Sequence, residues 1–283
     1  MLHVVGRLVD GYHHLQSLIA FASIGDEITV EKAESSSLTI DGLFAPHVPL
    51  AAENSVVEAA RWLKERFSGI EQAHIHLTKK LPIASGIGGG SSDAAATIAA
   101  LLKCHNISLS TEEEEALILA SGELGADVPV CLAHQFGWGP MMWIDSSGRE
   151  TLPIPVDVSL PGVLVLVNPG VPVSTATIFN KIHPPYTLPQ DFINGFATHY
   201  PGDLLAYLKV QKNDLMDVAI AQEPKIGKVI QALQKSPGCL LTRMSGSGGT
   251  CFAVFEDEKS AKSALLQKMP NAWGMTCSIL GAQ

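Results

Sequence analysis

A glycine- and serine-rich stretch at residues 82–93 carries the strongest indication of chemistry in the sequence. It reads Pro-Ile-Ala-Ser-Gly-Ile-Gly-Gly-Gly-Ser-Ser-Asp and runs into an alanine-rich segment that favours a helix over residues 91–103. Glycines let backbone N–H groups approach an anion closely, and a helix start adds its positive dipole end. Ser91 and Ser92 can cap this helix or donate to phosphate oxygens. We predict a phosphate-binding loop rather than a linker, because a strand pattern precedes the stretch and the helix follows at once.

Residue spacing excludes three familiar functional motifs, two in this stretch and one around Ser247. A Walker A loop requires Gly-Lys-Ser/Thr, and the stretch contains no lysine. A dinucleotide-binding G-x-G-x-x-G that starts at Gly86 would need glycine at position 91, where Ser91 stands. A nucleophile elbow around Ser247 fails because position 245 is Ser245 rather than glycine.

The stretch resembles the second motif of the GHMP kinases, P-x-x-x-G-L-G-x-G-S-S, with Ile87 at the leucine position. Residues 243–250, Arg-Met-Ser-Gly-Ser-Gly-Gly-Thr, are similar to the third motif of that family. Alone, this second stretch would be a hairpin turn; paired with the first, it is expected to close over the nucleotide phosphates. The resemblance implies ATP and Mg²⁺, with Lys79 or Lys80 and Asn54 as candidates for the nucleoside end. The expected nucleotide-binding residues are Pro82, Ile83, Ala84, Ser85, Gly86, Ile87, Gly88, Gly89, Gly90, Ser91, Ser92, Ser245, Gly246, Ser247 and Gly248.

Further motifs narrow the resemblance to one branch of the family and extend it along nearly the whole chain. That branch phosphorylates the 2-hydroxyl of a cytidine-diphosphate-linked methylerythritol with ATP, in the non-mevalonate route to isoprenoid precursors. The motifs are Gly6-Arg7, Asp10-Gly11-Tyr12-His13, Gly125-Ala126-Asp127-Val128-Pro129-Val130, Asn168-Pro169-Gly170-Val171, Ser174-Thr175 and Phe179.

The resemblance also assigns roles outside the two glycine-rich stretches. Asp127 would accept the proton of the substrate hydroxyl as the phosphoryl group is transferred. Tyr12, His13, Thr175 and Phe179 would bind the substrate, with aromatic faces against the cytosine and an imidazole at its polar edge. Without the resemblance, an aspartate beside a proline would be interpreted as an ordinary turn or cap residue.

One departure from the family pattern concerns a catalytic cation. Family members normally carry a segment like Ala-x-Ala-Lys-Ile-Asn-Leu just before the equivalent of Leu2, and its lysine pairs with the catalytic aspartate. Here Met1 precedes Leu2, and the first lysine is Lys32. We therefore expect the chain as written to be weakly active or inactive. The alternatives are a kinase whose start lies upstream, a nucleotide-binding protein with little or no transfer, and another GHMP small-molecule kinase such as a homoserine kinase.

The elements that must position these residues fit an α+β, two-domain arrangement. The resemblance implies a ribosomal protein S5 domain 2-like amino-terminal domain over residues 1–155 and a ferredoxin-like domain over residues 156–283. Proline spacing and lost periodicity near Thr151 support the boundary. In the second part, strand and helix patterns follow the order β-α-β-β-α-β of a ferredoxin-like fold. In the first, alternation predicts strands at 27–31, 37–40 and 73–77, and helical spacing predicts 54–67 with Asn54 as N-cap.

Composition limits the classes of partner. The chain has 283 residues, 46% hydrophobic and 17% charged, with a net charge of −9. An acidic chain is a poor general partner for nucleic acid or an anionic membrane, so we expect neither. Five dispersed cysteines without metal-ligand spacing indicate reduced thiols, as expected for a protein of the cytoplasm. The expected partner is a small molecule, and the expected state is a monomer or weak homodimer.

Overall fold

The computed structural model describes residues 1–9, 11–49, 53–146, 152–158, 160–266 and 271–280. Asp10 of the Asp-Gly-Tyr-His motif and Thr151 at the expected boundary lie outside these residues. Within them, no helix has both the length and the apolar character needed to cross a bilayer.

The described residues form eleven strands and ten α-helices. The strands are β1 (Leu2–Arg7), β2 (His13–Ala20), β3 (Glu27–Lys32), β4 (Ser37–Asp41), β5 (Ala73–Thr78), β6 (Met141–Ser146), β7 (Ile154–Pro155), β8 (Val163–Asn168), β9 (Cys239–Met244), β10 (Cys251–Phe255) and β11 (Trp273–Cys277). The helices are α1 (Ser55–Arg66), α2 (Gly89–Cys104), α3 (Thr111–Ala120), α4 (Val128–Gln135), α5 (Thr175–Phe179), α6 (Phe192–His199), α7 (Leu204–Val210), α8 (Met216–Gln222), α9 (Pro224–Gln234) and α10 (Glu258–Leu266).

The strands pair into three sheets. An antiparallel sheet has the order β1-β2-β6-β7, and a smaller one has the order β3-β5-β4, in which β4 runs parallel to β5. The third sheet is antiparallel with the order β11-β8-β10-β9. Counted within the second half of the chain, this order is 4-1-3-2, which confirms the ferredoxin-like arrangement predicted from the element sequence.

Apolar side chains on these elements form separate cores. One core lies between the β3-β5-β4 sheet and helices α1, α2 and α4, with Leu63, Leu77 and Ile98 fully buried. A second core lies between the carboxy-terminal sheet and helices α8 to α10, and Val4 of β1 enters it from the amino-terminal end. Strand β1 therefore joins the two halves of the chain.

Helix starts follow the local sequence with one correction. The Asn54 side chain accepts from the Val56 N–H at 2.9 Å and caps α1, and Ser110 and Glu113 form the capping box of α3. Helix α2, however, begins at Gly89, two residues before the predicted start, and its N-cap is Gly88 without a side-chain cap. Ser91 and Ser92 are thus inside the helix and do not cap it. The left-handed φ of +70° at Gly88 allows this early start.

Candidate functional site

The two glycine-rich stretches pack directly against each other. The Thr250 N–H donates to the Ser85 carbonyl at 2.9 Å. A Cβ placed on Gly86 would lie 2.1 Å from the Gly248 carbonyl oxygen, and one on Gly246 would lie 2.9 Å from the Gly86 oxygen. Side chains would separate these backbones, so the glycines are what allow the two loops to meet. The residues expected to bind phosphate from opposite ends of the chain are therefore adjacent.

The first glycine-rich loop presents an open backbone at the start of α2. A Cβ on Gly88 would have no atom within 4 Å, so the space above this residue is free. The amide groups of the first turn of α2 point toward that space, as they do at any helix start. Ser85 has a different role from the one expected, because its buried hydroxyl donates to the Pro82 carbonyl at 2.7 Å and shapes the loop.

The three residues expected at the nucleoside end have other partners. Lys79 is buried and bonded to two carboxylates, and Lys80 pairs with Glu27 at the surface. Asn54 is buried as the cap of α1, and its amide donates to the Pro49 carbonyl at 2.7 Å. These side chains maintain the local structure, and the assignment to the nucleoside end is not supported.

Asp127 stands immediately before α4, which Pro129 helps to start. Its side chain makes no capping hydrogen bond, which removes the interpretation as an ordinary cap aspartate. Although the residue as a whole is solvent-exposed, the protein surrounding its carboxyl desolvates it and raises its pKa above the ordinary range. A carboxylate without a capping hydrogen bond and with a raised pKa is suited to accept a proton.

Helix α4 packs against helix α2. Burial raises the pKa of the Cys131 thiol, and the carboxylates of Asp127 and Asp93 raise this pKa further. The buried Cys131 thiol is thus within electrostatic range of both the Asp127 and the Asp93 carboxylates. Asp127 therefore stands before a helix that packs against α2, the helix that follows the first glycine-rich loop.

Aromatic rings pack around His13, which is buried in β2. The rings of His13 and Phe179 lie 5.3 Å apart between centroids at an angle of 31°, so these two residues are neighbours. Tyr186, which sequence reasoning missed, contacts His13 edge-on at 6.3 Å. Tyr12 lies next along the chain and is 48% exposed. The signal that could have found Tyr186 is an aromatic residue after a Pro-Pro pair, seven residues beyond Phe179.

The ring of His13 is held in one orientation. It forms a hydrogen bond with the backbone of Ile182, while its Nε2 is buried without a partner among the described residues. Burial lowers the pKa of His13, and Arg7 lowers it further. One nitrogen of the His13 ring is therefore left without a protein hydrogen-bond partner among the described residues.

The aromatic pocket is connected to the second glycine-rich loop. Thr175, the first residue of α5, places its hydroxyl 2.8 Å from the Ser247 hydroxyl, and Phe179 is the last residue of that helix. One expected substrate residue, Thr175, thus contacts one expected nucleotide residue, Ser247.

Comparisons with known proteins agree with this geometry. Residues 54–135 match the GHMP kinases N terminal domain, and residues 202–271 match the GHMP kinases C terminal domain. A 4-diphosphocytidyl-2-C-methyl-D-erythritol kinase from Cereibacter sphaeroides is 43% identical over 268 residues, which cover 93% of this chain and 88% of that protein. The chain belongs to the 4-diphosphocytidyl-2-C-methyl-D-erythritol kinase family of GHMP kinases. A kinase of the same name from Parvibaculum lavamentivorans is 40% identical over 99% of this chain and 94% of its own length.

Solved structures of GHMP kinases have the same fold as this chain. A crystal structure of 4-(cytidine 5'-diphospho)-2C-methyl-D-erythritol kinase superposes with a TM-score of 0.75 at 27% identity, covering 98% of this chain and 95% of the other. A homoserine kinase from Cytophaga hutchinsonii superposes with a TM-score of 0.65 at 17% identity, over 98% of this chain and 94% of the other. The second likeness concerns the fold alone.

Proposed function

We propose that this kinase transfers the γ-phosphoryl group of ATP to the 2-hydroxyl of 4-diphosphocytidyl-2-C-methyl-D-erythritol. The observation that carries the proposal is the contact between Thr175 and Ser247, which joins an aromatic pocket suited to a pyrimidine to a loop suited to phosphates. The relatives described above are named for this substrate.

The loop of residues 82–92 fits the phosphates of ATP. It offers the free space over Gly88 and the amide groups at the start of α2. The side chain of Ser247 is buried where the two loops meet, so the second loop acts through its backbone and its bond to Thr175. When bound with ATP, Mg²⁺ would neutralise phosphate charge. Among the described residues no group of three acidic, histidine or cysteine side chains could hold the ion alone, so the phosphates themselves would be its main ligands.

Asp127 acts as the general base in this proposal. Phosphoryl transfer depends mainly on positioning and on charge stabilisation, and a nearby carboxylate accepts the hydroxyl proton as the new P–O bond forms. Because the pKa of Asp127 is raised, its basicity is closer to that of a base that works near neutral pH. Its carboxylate is free of capping bonds and can face the acceptor hydroxyl.

The pocket around His13 selects the cytidine end of the substrate. The Phe179 ring offers a face for stacking, and Tyr186 closes the side of the imidazole. In a neutral ring whose other nitrogen donates to Ile182, the Nε2 of His13 is an acceptor. It can therefore accept a hydrogen bond from the exocyclic amine of cytosine, which uracil lacks.

The experiment that tests the proposal measures ADP release with a panel of acceptors. With Mg-ATP, the cytidine-diphosphate-linked methylerythritol should support turnover, while the uridine-diphosphate analogue, homoserine and mevalonate should not. Phosphorus NMR of the product should show a new phosphomonoester with the diphosphate intact. Turnover with homoserine instead would identify another GHMP kinase, and ATP binding without ADP release from any acceptor would identify a nucleotide-binding protein without transfer.

A further inference from the structure

A buried ionic cluster, which the proposed transfer does not use, lies directly behind the first glycine-rich loop. The Lys79 ammonium is 2.6 Å from Asp26 Oδ2 and 2.5 Å from Asp93 Oδ2. The side chains of Lys79, Asp26 and Asp93 are 6%, 3% and 6% exposed. Each residue comes from a different segment: Asp26 precedes β3, Lys79 follows β5, and Asp93 belongs to the first turns of α2.

The two carboxylates of the cluster are not equivalent. Asp26 Oδ1 accepts hydrogen bonds from the backbone N–H groups of Lys80 at 2.6 Å and Leu81 at 2.9 Å. The Asp26 carboxylate thus has two backbone donors in addition to Lys79. Asp93 bonds Lys79 and lies within hydrogen-bond reach of the Asp26 carboxyl. The pKa of Asp93 is raised to about 7, because burial and the neighbouring Asp26 carboxylate raise it by more than Lys79 lowers it. Asp93 is thus the member of the cluster that can gain or lose a proton near neutral pH.

The cluster is close to where phosphates would lie. A Cβ on Gly89, the first residue of α2, would be 3.6 Å from Lys79 Nζ and 3.8 Å from Asp26 Oδ2. One ammonium and two carboxylates carry a net charge of −1, which repels an anion bound on the other side of this backbone. A proton on Asp93 makes the cluster neutral and removes that repulsion.

Helices α1 and α4 and strand β3 pack against α2, the helix that contains Asp93. Immediately before α4, Asp127 raises the pKa of the same Cys131 thiol as Asp93 does. On β3, Glu27 is paired with Lys80 at the surface. From α1, the group nearest to Gly90 in the loop is the uncharged hydroxyl of Ser55, 3.7 Å from the position of a Cβ on Gly90. A polyphosphate bound over the loop would therefore be a strong new negative charge near Asp93, and a like charge favours the protonated carboxyl.

Building on the ATP site proposed above, we propose that the Lys79–Asp26–Asp93 cluster positions the first glycine-rich loop and takes up a proton when ATP binds. The three residues tie the strand ends before the loop to the helix after it, so the loop keeps its shape around the nucleotide. The proton enters at Asp93, and it leaves again when the nucleotide leaves.

Isothermal titration calorimetry of ATP binding, without acceptor, tests this inference. Titrations at pH 7 in buffers of different ionisation enthalpy report the protons exchanged on binding. We expect the protein to take up a fraction of a proton more than the Asp93→Asn variant, in which an amide replaces the carboxyl while keeping its shape. Asp217→Asn, the same change at an exposed position on α8, should match the unsubstituted protein. Equal proton exchange with and without Asp93 would overturn the inference.

A second measurement covers the case in which Asp93→Asn does not fold. The affinity of the unsubstituted protein for Mg-ATP should weaken as pH rises above 7, by up to about tenfold per pH unit for one linked proton. An affinity that stays constant or strengthens across that range counts against the cluster. Absence of any ATP binding at all pH values would instead overturn the proposed function, and the coupling with it.

Discussion

The hydroxyl of Thr175 lies 2.8 Å from the hydroxyl of Ser247, and this contact joins the helix that ends at Phe179 to the second glycine-rich loop. Ser247 is buried, whereas Thr175 is exposed. Movement of helix α5 would therefore be transmitted to the second glycine-rich loop through this bond, and movement of that loop would be transmitted to the helix. We expect acceptor binding and nucleotide binding to influence each other through it.

Replacing Thr175 by valine tests this connection. The variant keeps the shape of the side chain and loses the hydrogen bond, which is worth about 0.5–1.5 kcal/mol for a neutral pair. We expect the KM for the acceptor to rise several-fold, with a smaller rise in the KM for ATP. Thr177→Val in the same short helix is the control and should leave both constants unchanged. If Thr175→Val also leaves both unchanged, the bond does not connect the two parts of the site.

Gly86 and Gly88 allow a matched test of the two glycine-rich stretches. Both have positive φ, so alanine costs about 1–2 kcal/mol at either position. Only at Gly86 would the new Cβ collide with backbone, 2.1 Å from the Gly248 oxygen. Gly86→Ala should lower the melting temperature markedly. Gly88→Ala should lower the melting temperature only slightly and should weaken the binding of ATP more than the binding of the acceptor. Thermal melts and calorimetry separate these effects, and equal losses for both variants would contradict the packing described.

The sequence predicted elements and motifs better than it predicted partners. Strands β3, β4 and β5, helix α1 and the ferredoxin-like order follow from local periodicity, which depends on neighbouring residues alone. The start of α2 was misplaced because Ser91 and Ser92 are good capping residues, while Gly88 caps through its backbone conformation.

Contacts between distant residues could not be predicted from these patterns. The sequence pattern predicts that Lys79 is a loop lysine free to reach a ligand. In the structure, its ammonium instead donates hydrogen bonds to Asp26, 53 positions away, and to Asp93. Tyr186 gives no periodic signal, and only the fold brings it to His13. Long-range pairs of this kind depend on how sheets and helices pack, which one sequence does not specify.

His3 provides a prediction about pH. Its ring is 1% exposed and both ring nitrogens are buried without hydrogen-bond partners among the described residues. Burial lowers the pKa of His3, which Asp214 partly offsets. The unfolded chain therefore binds a proton at higher pH than the folded one, and stability falls as pH drops below about 6.5. Urea unfolding between pH 5 and 7.5 measures this slope.

Two variants identify the residue responsible. His3→Phe keeps a ring in the core and removes the titration, so the slope should become flatter, with the part due to His13 remaining. His47→Phe changes an exposed histidine and should keep the original slope. An identical slope in all three proteins would show that His3 does not carry the effect.

Phe179 provides a test of the cytidine pocket. Removing a ring on which a base stacks costs about 1–3 kcal/mol. Phe179→Ala should therefore weaken binding of cytidine diphosphate by roughly ten- to a hundred-fold and leave ATP affinity nearly unchanged, since the ring faces His13 rather than the first loop. Phe179→Leu keeps apolar volume without a π face, so its affinity for cytidine diphosphate should lie between those of the unsubstituted protein and Phe179→Ala. Unchanged affinity in both variants would remove Phe179 from the pocket.

Asp127 decides whether the site performs the chemistry assigned to it. Its carboxylate has no capping bond, so Asp127→Asn should not destabilise the protein, and relief from desolvating a charge should keep the melting temperature equal or raise it. Turnover should fall by about 10²–10⁴-fold, the usual contribution of a general base, while ATP affinity stays within about twofold. Because the base must be ionised and its pKa is raised, the rate of the unsubstituted enzyme should decline on acidification at a pH above that expected for an ordinary aspartate. Single-turnover rates across pH with fixed Mg-ATP measure this decline, and Asp217→Asn serves as the control for charge. Retention of most of the rate in Asp127→Asn, with the same pH dependence, would show that transfer proceeds without a carboxylate at this position and that another group accepts the proton.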